Sequence, residues 1–252
     1  MPQTKQQHSL INEHLPEAIK RRLRHTTSSR NRSSATLGGI DGCITTFAIV
    51  SGAAGAGLSA PIALVLGFAN LLADGFSMAV SQYESIKTEN AVIDSVRERE
   101  AQHIEQIPQG EREEVRQIFQ QKGFSGDTLE SIVDTISGNK RLWIDTMLRE
   151  EHGLQPVANN ALLPASITFI AFILLGALPL LPFMVSALQM PQQFMLSSVI
   201  AALVFFCIGL LKSPATHRPG LGAGFSTLLT GGSAAALAYA TGHILREVFG
   251  IL

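Results

Sequence analysis

Charged residues are distributed very unevenly along this 252-residue chain, and their distribution restricts the folds that it can adopt. Between residues 37 and 83 the only charged side chains are those of Asp41 and Asp74, and residues 158–211 contain none. A soluble domain carries charged side chains on the exposed faces of its helices and strands. Apolar segments this long, with so little charge, therefore predict a polytopic membrane protein.

Five segments have the length and composition of a membrane span, because about 20 residues of helix cross a hydrocarbon core of about 30 Å. Pro61 is predicted to separate the first two spans into a tight hairpin. The second helix has no breaker after Tyr83, so it is predicted to continue out of the membrane until Pro108 and Gly110 stop it. The predicted spans are residues 37–58, 62–86, 161–182, 194–212 and 221–243.

The segment between the second and third spans holds most of the charge of the chain. Apolar residues recur there with the helical period in three stretches: the first ends at Gly123, the second ends at Gly138, and the third carries the only tryptophan, Trp143. These helices and the extended second span are enough for a compact helical domain. An all-α membrane protein is therefore predicted, with a basic tail at 1–36, transmembrane helices at 37–86, a soluble helical domain at 87–157 and transmembrane helices at 158–252.

The lysine and arginine residues predict how this chain is oriented in the membrane. They are concentrated in residues 1–36 and 87–157, and the turn near Pro61 and the loop at 183–193 have none. Loops that are rich in lysine and arginine remain in the cytoplasm. With five spans, this rule places the N-terminus and the 87–157 domain in the cytoplasm and the C-terminus on the outer side.

Composition and motifs argue against several classes of function. The formal net charge is −1, which gives no basic footprint for nucleic acid. Cys43 and Cys207 both lie in apolar segments, where packing is a commoner role than a disulfide. The sequence has no G-x-S-x-G, P-loop or H-E-x-x-H motif, so it predicts neither an enzyme nor an ATP-driven pump. Uphill transport by such a chain would have to use an ion gradient.

Two carboxylates inside the predicted spans are candidates for an ion path, because an ionisable residue in a span is costly and usually faces a polar pathway. Asn70, Asp74 and Met78 are four residues apart and share one helix face, and Asp41 and Thr45 add oxygen atoms on the first span. Carboxylate oxygen suits divalent manganese or ferrous iron, and the thioether favours iron over magnesium or calcium. The alternative is that Asp41 caps the first helix near the interface and that Met78 only packs.

The 87–157 domain contains three pairs of possible ligands: Glu100 with His103, Glu111 with Glu114, and Met147 with Glu151. The members of each pair are three or four residues apart, so each pair shares a helix face. If the three faces converge, they offer carboxylate oxygens, one imidazole and one thioether to a transition metal ion. The alternative is ordinary solvated helix surface, since arginines at 97, 99, 112 and 116 lie nearby. The candidate metal ligands are Glu100, His103, Glu111, Glu114, Met147 and Glu151.

Three stretches of the sequence resemble the vacuolar iron transporter family, in its bacterial branch, and the resemblance runs from about residue 30 to the C-terminus. They are GGIDGCITTFAIVSGAAGAGLS, GFANLLADGFSMAVSQYESIKTE and LWIDTMLREEHGL. The motifs D-G-x-x-T-T-F-A and A-D-G-x-S-M within them are far more specific than a general pattern of apolar helices.

The resemblance implies a homodimer in the bacterial inner membrane that moves ferrous iron or manganese out of the cytosol in exchange for protons. It implies no prosthetic group, and zinc and cobalt are further divalent candidates. It also implies a path through Asp41 and Met78 and a cytoplasmic metal-binding domain. The domain ligands that it implies are Glu100, Glu111, Glu114, Met147 and Glu151.

Three residues depart from the family pattern. His103 stands where a glutamate is expected, and Leu148 stands where a second methionine often occurs. Asn70 occupies a position at which eukaryotic members have a glutamate, so the site in the spans would rely on Asp74. These departures leave the transport interpretation intact and leave the preferred metal open.

Two other functions compete with metal export. A membrane-bound metal sensor or buffer would bind metal at the acidic domain and move none of it. A carrier of an organic cation would want an aromatic lining, whereas the predicted spans offer phenylalanines, Tyr83 and Tyr239 and no tryptophan. Flux of metal into sealed liposomes separates the first two hypotheses.

Overall fold

The computed structural model describes residues 14–24, 27–155, 160–216 and 220–250. Within those ranges the regular structure is entirely helical, which confirms the predicted all-α class. The helices are α1 (Pro16–Arg24), α2 (Thr27–Gly55), α3 (Ala60–Gln106), α4 (Pro108–Gln121), α5 (Gly126–Ser137), α6 (Lys140–Glu150), α7 (Leu162–Ala177), a 3₁₀-helix (Leu178–Met184), α8 (Met190–Thr216) and α9 (Gly220–Phe249).

Five helical segments in the described part of the chain are long and apolar enough to cross a membrane, which confirms the predicted number of spans. The helix of the first span, α2, begins at Thr27, upstream of the predicted span, because no glycine or proline interrupts residues 27–37. Asp41 therefore lies inside α2 and is not a helix cap. The candidate spans are Arg30–Gly55, Ala60–Gln106, Leu162–Met184, Met190–Lys212 and Gly220–Phe249.

The sequence predicts a single helix over residues 161–182 for the third span. The structure instead has an α-helix followed by a 3₁₀-helix. The α-helix ends at Ala177, and the chain continues to Met184 as a 3₁₀-helix that contains Pro179 and Pro182. Proline has no N–H to donate to the preceding turn, and its ring clashes with the carbonyl group four residues earlier. The chain continues instead as a 3₁₀-helix, whose hydrogen bonds join residues three apart rather than four.

The hairpin between α2 and α3 forms where Pro61 predicted it. Gly57 adopts a positive φ of 74°, and the N–H of Leu58 donates to the carbonyl of Ala53 at 2.9 Å. This left-handed residue after the helix ends α2 and reverses the chain. Pro61 then lies in the first turn of α3, where its missing N–H has no consequence.

The chain divides into two compact units, Met1–Tyr83 with Leu162–Leu252, and Glu84–Ala161. In the first unit, glycines of α2 let neighbouring backbones approach closely. A Cβ atom on Gly42 would lie 2.4 Å from the carbonyl oxygen of Phe172 in α7, and one on Gly55 would lie 2.2 Å from the carbonyl oxygen of Tyr239 in α9. The small residues of α2 therefore serve packing within one chain.

The second unit is built from the end of α3 and from α4, α5 and α6. Its core buries the apolar faces that the helical period predicted, together with the tryptophan. The extended helix α3 ends at Gln106, just before Pro108, as predicted, and Gly110 lies in the first turn of α4, which begins at Pro108. Proline is favourable at the first position of a helix, and it sets the sharp turn from α3 into α4. The buried core residues are Ile93, Ile104, Val115, Leu129, Val133, Ile136, Trp143, Ile144, Met147 and Leu148.

Candidate metal centre

Two carboxylates are buried in the second unit, Glu100 near the end of α3 and Glu111 in the first turn of α4. Each residue is only 2% exposed. The Oε2 atom of each carboxylate is buried and has no hydrogen-bond partner among the described residues. An unpaired buried carboxylate oxygen is unfavourable unless a cation or a donor meets it. These two oxygen atoms therefore mark a place where a cation would be stabilised.

Each of these carboxylates is paired with an imidazole through its other oxygen atom. Nδ1 of His103 lies 3.2 Å from Oε1 of Glu111, and Nε2 of His152 lies 3.0 Å from Oε1 of Glu100. Glu151 is adjacent, with its Oε2 atom 3.6 Å from Nε2 of His152. We call these five residues the carboxylate–imidazole cluster.

The cluster consists of two overlapping groups that share Glu100. Ligand atoms of Glu100, His103 and Glu111 all lie within 4.8 Å of one another, and the same holds for Glu100, Glu151 and His152. Ligands on opposite sides of one metal ion are about 4.0–4.4 Å apart at bond lengths of about 2.0–2.2 Å, so each group needs at most a small contraction to hold an ion. The side chains of each group can therefore converge on a single ion.

The turn between α3 and α4 creates the first group. The N–H of Ile107 donates to the carbonyl of His103 at 2.8 Å, and the N–H of Glu111 donates to the carbonyl of Ile107 at 3.2 Å. The chain therefore reverses within a few residues and brings the start of α4 against the last turns of α3. Glu100 and His103 are three residues apart on one face of α3, and that face meets Glu111.

The electrostatics of the cluster follow from its burial. Burial, and after it the carboxylates of Glu114 and Glu100, together raise the pKa of Glu111 to about 7, while His103 acts in the opposite direction. Partial burial also raises the pKa of Glu114, as do the carboxylates of Glu151 and Glu100. The negative charges are thus crowded, and a divalent cation among them would favour their ionised forms.

Most of the nearby arginines are bound elsewhere, which weakens the interpretation of this face as ordinary charged surface. Arg97 pairs with Asp145 at 3.1 Å, Arg112 pairs with Asp134, and Arg116 pairs with Glu113 and Glu130. None of these four carboxylates belongs to the cluster. Of these four arginines, Arg99 alone forms an ion pair with the cluster, with Nε 3.6 Å from Oε1 of Glu100.

The remaining predicted ligands of this domain lie at its edge and in its core. Glu114 is exposed, although it is close enough to Glu151 and Glu100 to feel their charges. Met147 is fully buried in the apolar core, and Leu148, at the position of the expected second methionine, is 3% exposed. A methionine at position 148 would thus also be a core residue.

His152 is the residue of this cluster that the sequence analysis missed. It follows α6 directly and lies next to the predicted ligand Glu151, but it was not a member of any pair with helical spacing. A histidine beside a candidate carboxylate, followed by Gly153, is the signal that could have identified it. The contact with Glu100, which is 52 residues earlier, depends on the tertiary fold.

The predicted path residues lie on α2 and α3 in the first unit. Asp41, Thr45, Asn70, Asp74 and Met78 are all half-buried, and the carboxylates of Asp41 and Asp74 are close enough to repel each other. The Oγ1 atom of Thr45 donates to the carbonyl of Asp41 at 2.9 Å, and Nδ2 of Asn70 is buried without a partner among the described residues. Met78 packs against an apolar core that includes the buried Phe172.

Comparison with known proteins gives matches over most of the chain. Residues 32–243 match the VIT family, a range that includes the second unit and nearly all of the five candidate spans. The chain is 32% identical over 241 residues to a vacuolar iron transporter of Toxoplasma gondii, a match that covers 90% of this chain and 78% of that protein. It is 30% identical over 225 residues to vacuolar iron transporter 1 of Arabidopsis thaliana, with 89% and 90% covered.

A third relative, vacuolar iron transporter 1 of Oryza sativa subsp. japonica, is 32% identical over 221 residues, with 86% of each chain covered. The members of this family are transporters and not enzymes, which agrees with the absence of catalytic motifs from the sequence. The chain belongs to the VIT family.

Proposed function

We propose that this protein exports divalent metal, ferrous iron or manganese, from the cytosol in exchange for protons. The observation that carries the proposal is the pair of buried carboxylates, Glu100 and Glu111, whose Oε2 atoms have no partner among the described residues. They lie in the second unit, Glu84–Ala161, which begins within α3 and ends just before the third candidate span. The relatives named above are iron transporters, and this supports iron as a cargo.

The residues of the first unit would supply the path through the membrane. Asp41 and Asp74 place two negative charges on neighbouring helices within otherwise uncharged segments. A carboxylate in such a place holds either a cation or a proton, because both relieve the burial of its charge. Exchange of metal for protons at Asp41 and Asp74 would thus couple the two fluxes, and Thr45, Asn70 and Met78 would complete the ligand set.

The same proposal includes the orientation and the assembly. The distribution of lysine and arginine supports a cytoplasmic location for the N-terminus and for residues 87–157, with the C-terminus on the outer side of a bacterial inner membrane. The first half of α3 exposes large apolar side chains, among them Val65, Leu72 and Phe76. Lipid or a second copy of the chain would cover them, and we propose a homodimer in accordance with the family resemblance.

A metal buffer or sensor remains the second candidate, because the carboxylate–imidazole cluster is made only of residues of the second unit. Such a protein would bind metal without moving it. The two functions therefore make different predictions for a sealed membrane.

The deciding experiment is metal flux into proteoliposomes that contain the purified full-length chain. Iron, manganese, zinc and cobalt are supplied outside, with and without an imposed pH gradient, and a metal-sensitive dye is enclosed. We expect uptake of iron or manganese that is faster when the lumen is acidic, together with alkalinisation of the lumen. Tight binding without uptake would overturn the transport proposal and favour the buffer. Uptake that does not respond to the pH gradient would overturn proton exchange alone.

A further inference from the structure

We infer that His152 is a metal ligand, and that with His103 it makes the cluster a mixed nitrogen and oxygen site that selects ferrous iron, cobalt or zinc over manganese. The inference deepens the proposed function and rests on it for the identity of the cargo. The binding preference itself can be measured without transport.

The position of His152 is fixed by the end of α6. Its N–H donates to the carbonyl of Met147 at 3.2 Å, and the N–H of Leu154 donates to the carbonyl of Leu148 at 2.7 Å. Gly153 between them has a φ of 64°, which ends the helix and turns the chain back on itself. His152 is therefore held by backbone hydrogen bonds and directed at Glu100, and its side chain is only 19% exposed.

Both imidazoles occupy equivalent places, each against one oxygen atom of a buried carboxylate. His103 contacts Oε1 of Glu111 at 3.2 Å, and His152 contacts Oε1 of Glu100 at 3.0 Å. The second oxygen of each carboxylate is buried and has no partner in the described residues. The two pairs belong to two groups that share Glu100. A cation bound at Glu100 would satisfy the free oxygen atoms, and a small movement of the two groups toward it would bring both ring nitrogens within reach.

Among the arginines that the structure describes, Arg99 is the one that contacts His152, and it does not block the site. Its Nη2 atom lies 3.4 Å from Nε2 of His152, and its Nε atom lies 3.6 Å from Oε1 of Glu100. The Arg99 side chain is 52% exposed, so it can move into solvent when a metal ion enters. In the metal-free protein the positive charge of Arg99 partly balances the negative charge of Glu100.

The ligand atoms determine which metal ion the site prefers. Imidazole suits iron, copper, nickel and zinc, whereas a site made of carboxylates and carbonyl groups suits manganese, magnesium and calcium. Affinity at a given site also rises from manganese through iron to cobalt. Two nitrogen ligands beside Glu100 and Glu111 should therefore favour cobalt and iron, and replacing the nitrogens with oxygens should reduce that preference.

The test uses full-length protein in detergent, with cobalt as a spectroscopic probe and manganese as its competitor. Cobalt binding is followed by visible absorption and by proton NMR, in which each ligated imidazole gives a hyperfine-shifted, exchangeable N–H signal. Free manganese is measured by its electron paramagnetic resonance spectrum. We expect two such N–H signals in the wild type. His152→Gln should lose one of them and weaken cobalt binding by at least about tenfold, with a smaller loss for manganese.

Three further variants make the result decisive. His152→Glu should keep metal bound but shift the preference toward manganese, and His103→Gln should remove the other N–H signal. His243→Gln, which changes an exposed histidine of α9 outside the cluster, should leave both signals unchanged. Fluorescence of Trp143, which is buried in the core of the same unit, reports whether each variant is folded.

The outcomes separate this inference from the transport proposal. Equal losses for cobalt and manganese in His152→Gln, with both N–H signals retained, would overturn the inference and make His152 a positioning residue for Glu100. A wild type with no imidazole signal, or with no cobalt bound, would overturn it as well. If cobalt binds with both signals but no metal crosses the proteoliposome membrane, the inference stands and the transport proposal fails.

Discussion

The Oε1 atom of Glu111 lies 3.2 Å from Nδ1 of His103, across the turn that joins α3 to α4. This contact holds a carboxylate that burial has made a weaker acid than usual, since the pKa of Glu111 rises from 4.5 to about 7. The second oxygen of Glu111 is left without a partner among the described residues. The buried carboxylate of Glu111 therefore favours metal binding, but it destabilises the fold when no metal is bound.

The first prediction is that Glu111→Gln stabilises the metal-free protein at high pH. Below about pH 4.5 the carboxyl group is protonated in both the folded and the unfolded chain, and the substitution should have little effect. As the pH rises to about 7, the unfolded chain loses this proton while the folded chain retains it, so the wild type loses stability. Above about pH 7 the difference in the free energy of unfolding between the two proteins should be constant, with the variant more stable than the wild type.

Thermal unfolding in the presence of a chelator, followed by the fluorescence of Trp143, measures this difference between pH 5 and pH 8. Glu98→Gln is the matched control, because Glu98 is an exposed carboxylate on α3. Saturating metal should reverse the order, since a ligand that binds only the folded wild type stabilises it. A difference between Glu111→Gln and wild type that is the same at pH 5 and pH 8 would contradict the prediction.

The second prediction concerns the contributions of the two glutamates of α4 to metal binding. Changing Glu111 and Glu114 together to alanine should weaken metal binding far more than the roughly 0.5 kcal/mol that is typical of a surface substitution. Glu111 alone should account for most of the loss, because it is buried in the cluster while Glu114 is exposed. Anaerobic calorimetric titration of the full-length chain with ferrous iron or manganese measures both effects. If Glu98→Ala loses as much affinity as the double variant, the acidic face is only solvated surface.

The third prediction tests the close packing of α2 against α7. Gly42→Ala should destabilise the protein by about 1–3 kcal/mol, because the added Cβ would lie 2.4 Å from the carbonyl oxygen of Phe172, a backbone atom that cannot rotate away. Gly232→Ala is the control, since a Cβ on Gly232 in α9 would meet nothing within 4 Å. Thermal stability in detergent compares the two. Equal stability of both variants would mean that α2 and α7 can separate without loss.

The helices of this protein could be predicted because their signals are local. Long apolar segments identify spans, and the helical period identifies the faces that carry Val115 and Val133. The 3₁₀-helix had a local signal too, in Pro179 and Pro182, which the length of the apolar run concealed. The contact between Glu100 and His152 has no such signal, because it depends on how α6 ends and packs against α3. The sequence could thus predict candidate ligands but not which of them meet.

The fourth prediction separates ligation by Met78 from packing. Met78 is half-buried against an apolar core, so an alanine would remove both its sulfur and its volume. Met78→Leu keeps the volume and removes only the thioether. If the sulfur takes part in the path, this variant should reduce iron flux more than manganese flux, because manganese gains less from a soft ligand. If Met78→Leu transports both iron and manganese at the wild-type rates, Met78 only packs.

The last prediction separates capture of metal from its passage through the membrane. Asp41→Asn keeps the shape of the side chain and removes its charge from the middle of α2, in a unit that contains no residue of the carboxylate–imidazole cluster. It should abolish metal flux into proteoliposomes and leave calorimetric binding at the cluster unchanged. Glu111→Gln should have the opposite profile, with weak binding and with flux that recovers when metal is in excess. Thr36→Val is a control on the same helix, because the Thr36 side chain is only half-buried and its hydroxyl donates to the carbonyl of Arg32 at 2.8 Å. If Asp41→Asn transports metal at the wild-type rate, the coupling of metal to protons must lie elsewhere, and Asp74 is the next carboxylate to change.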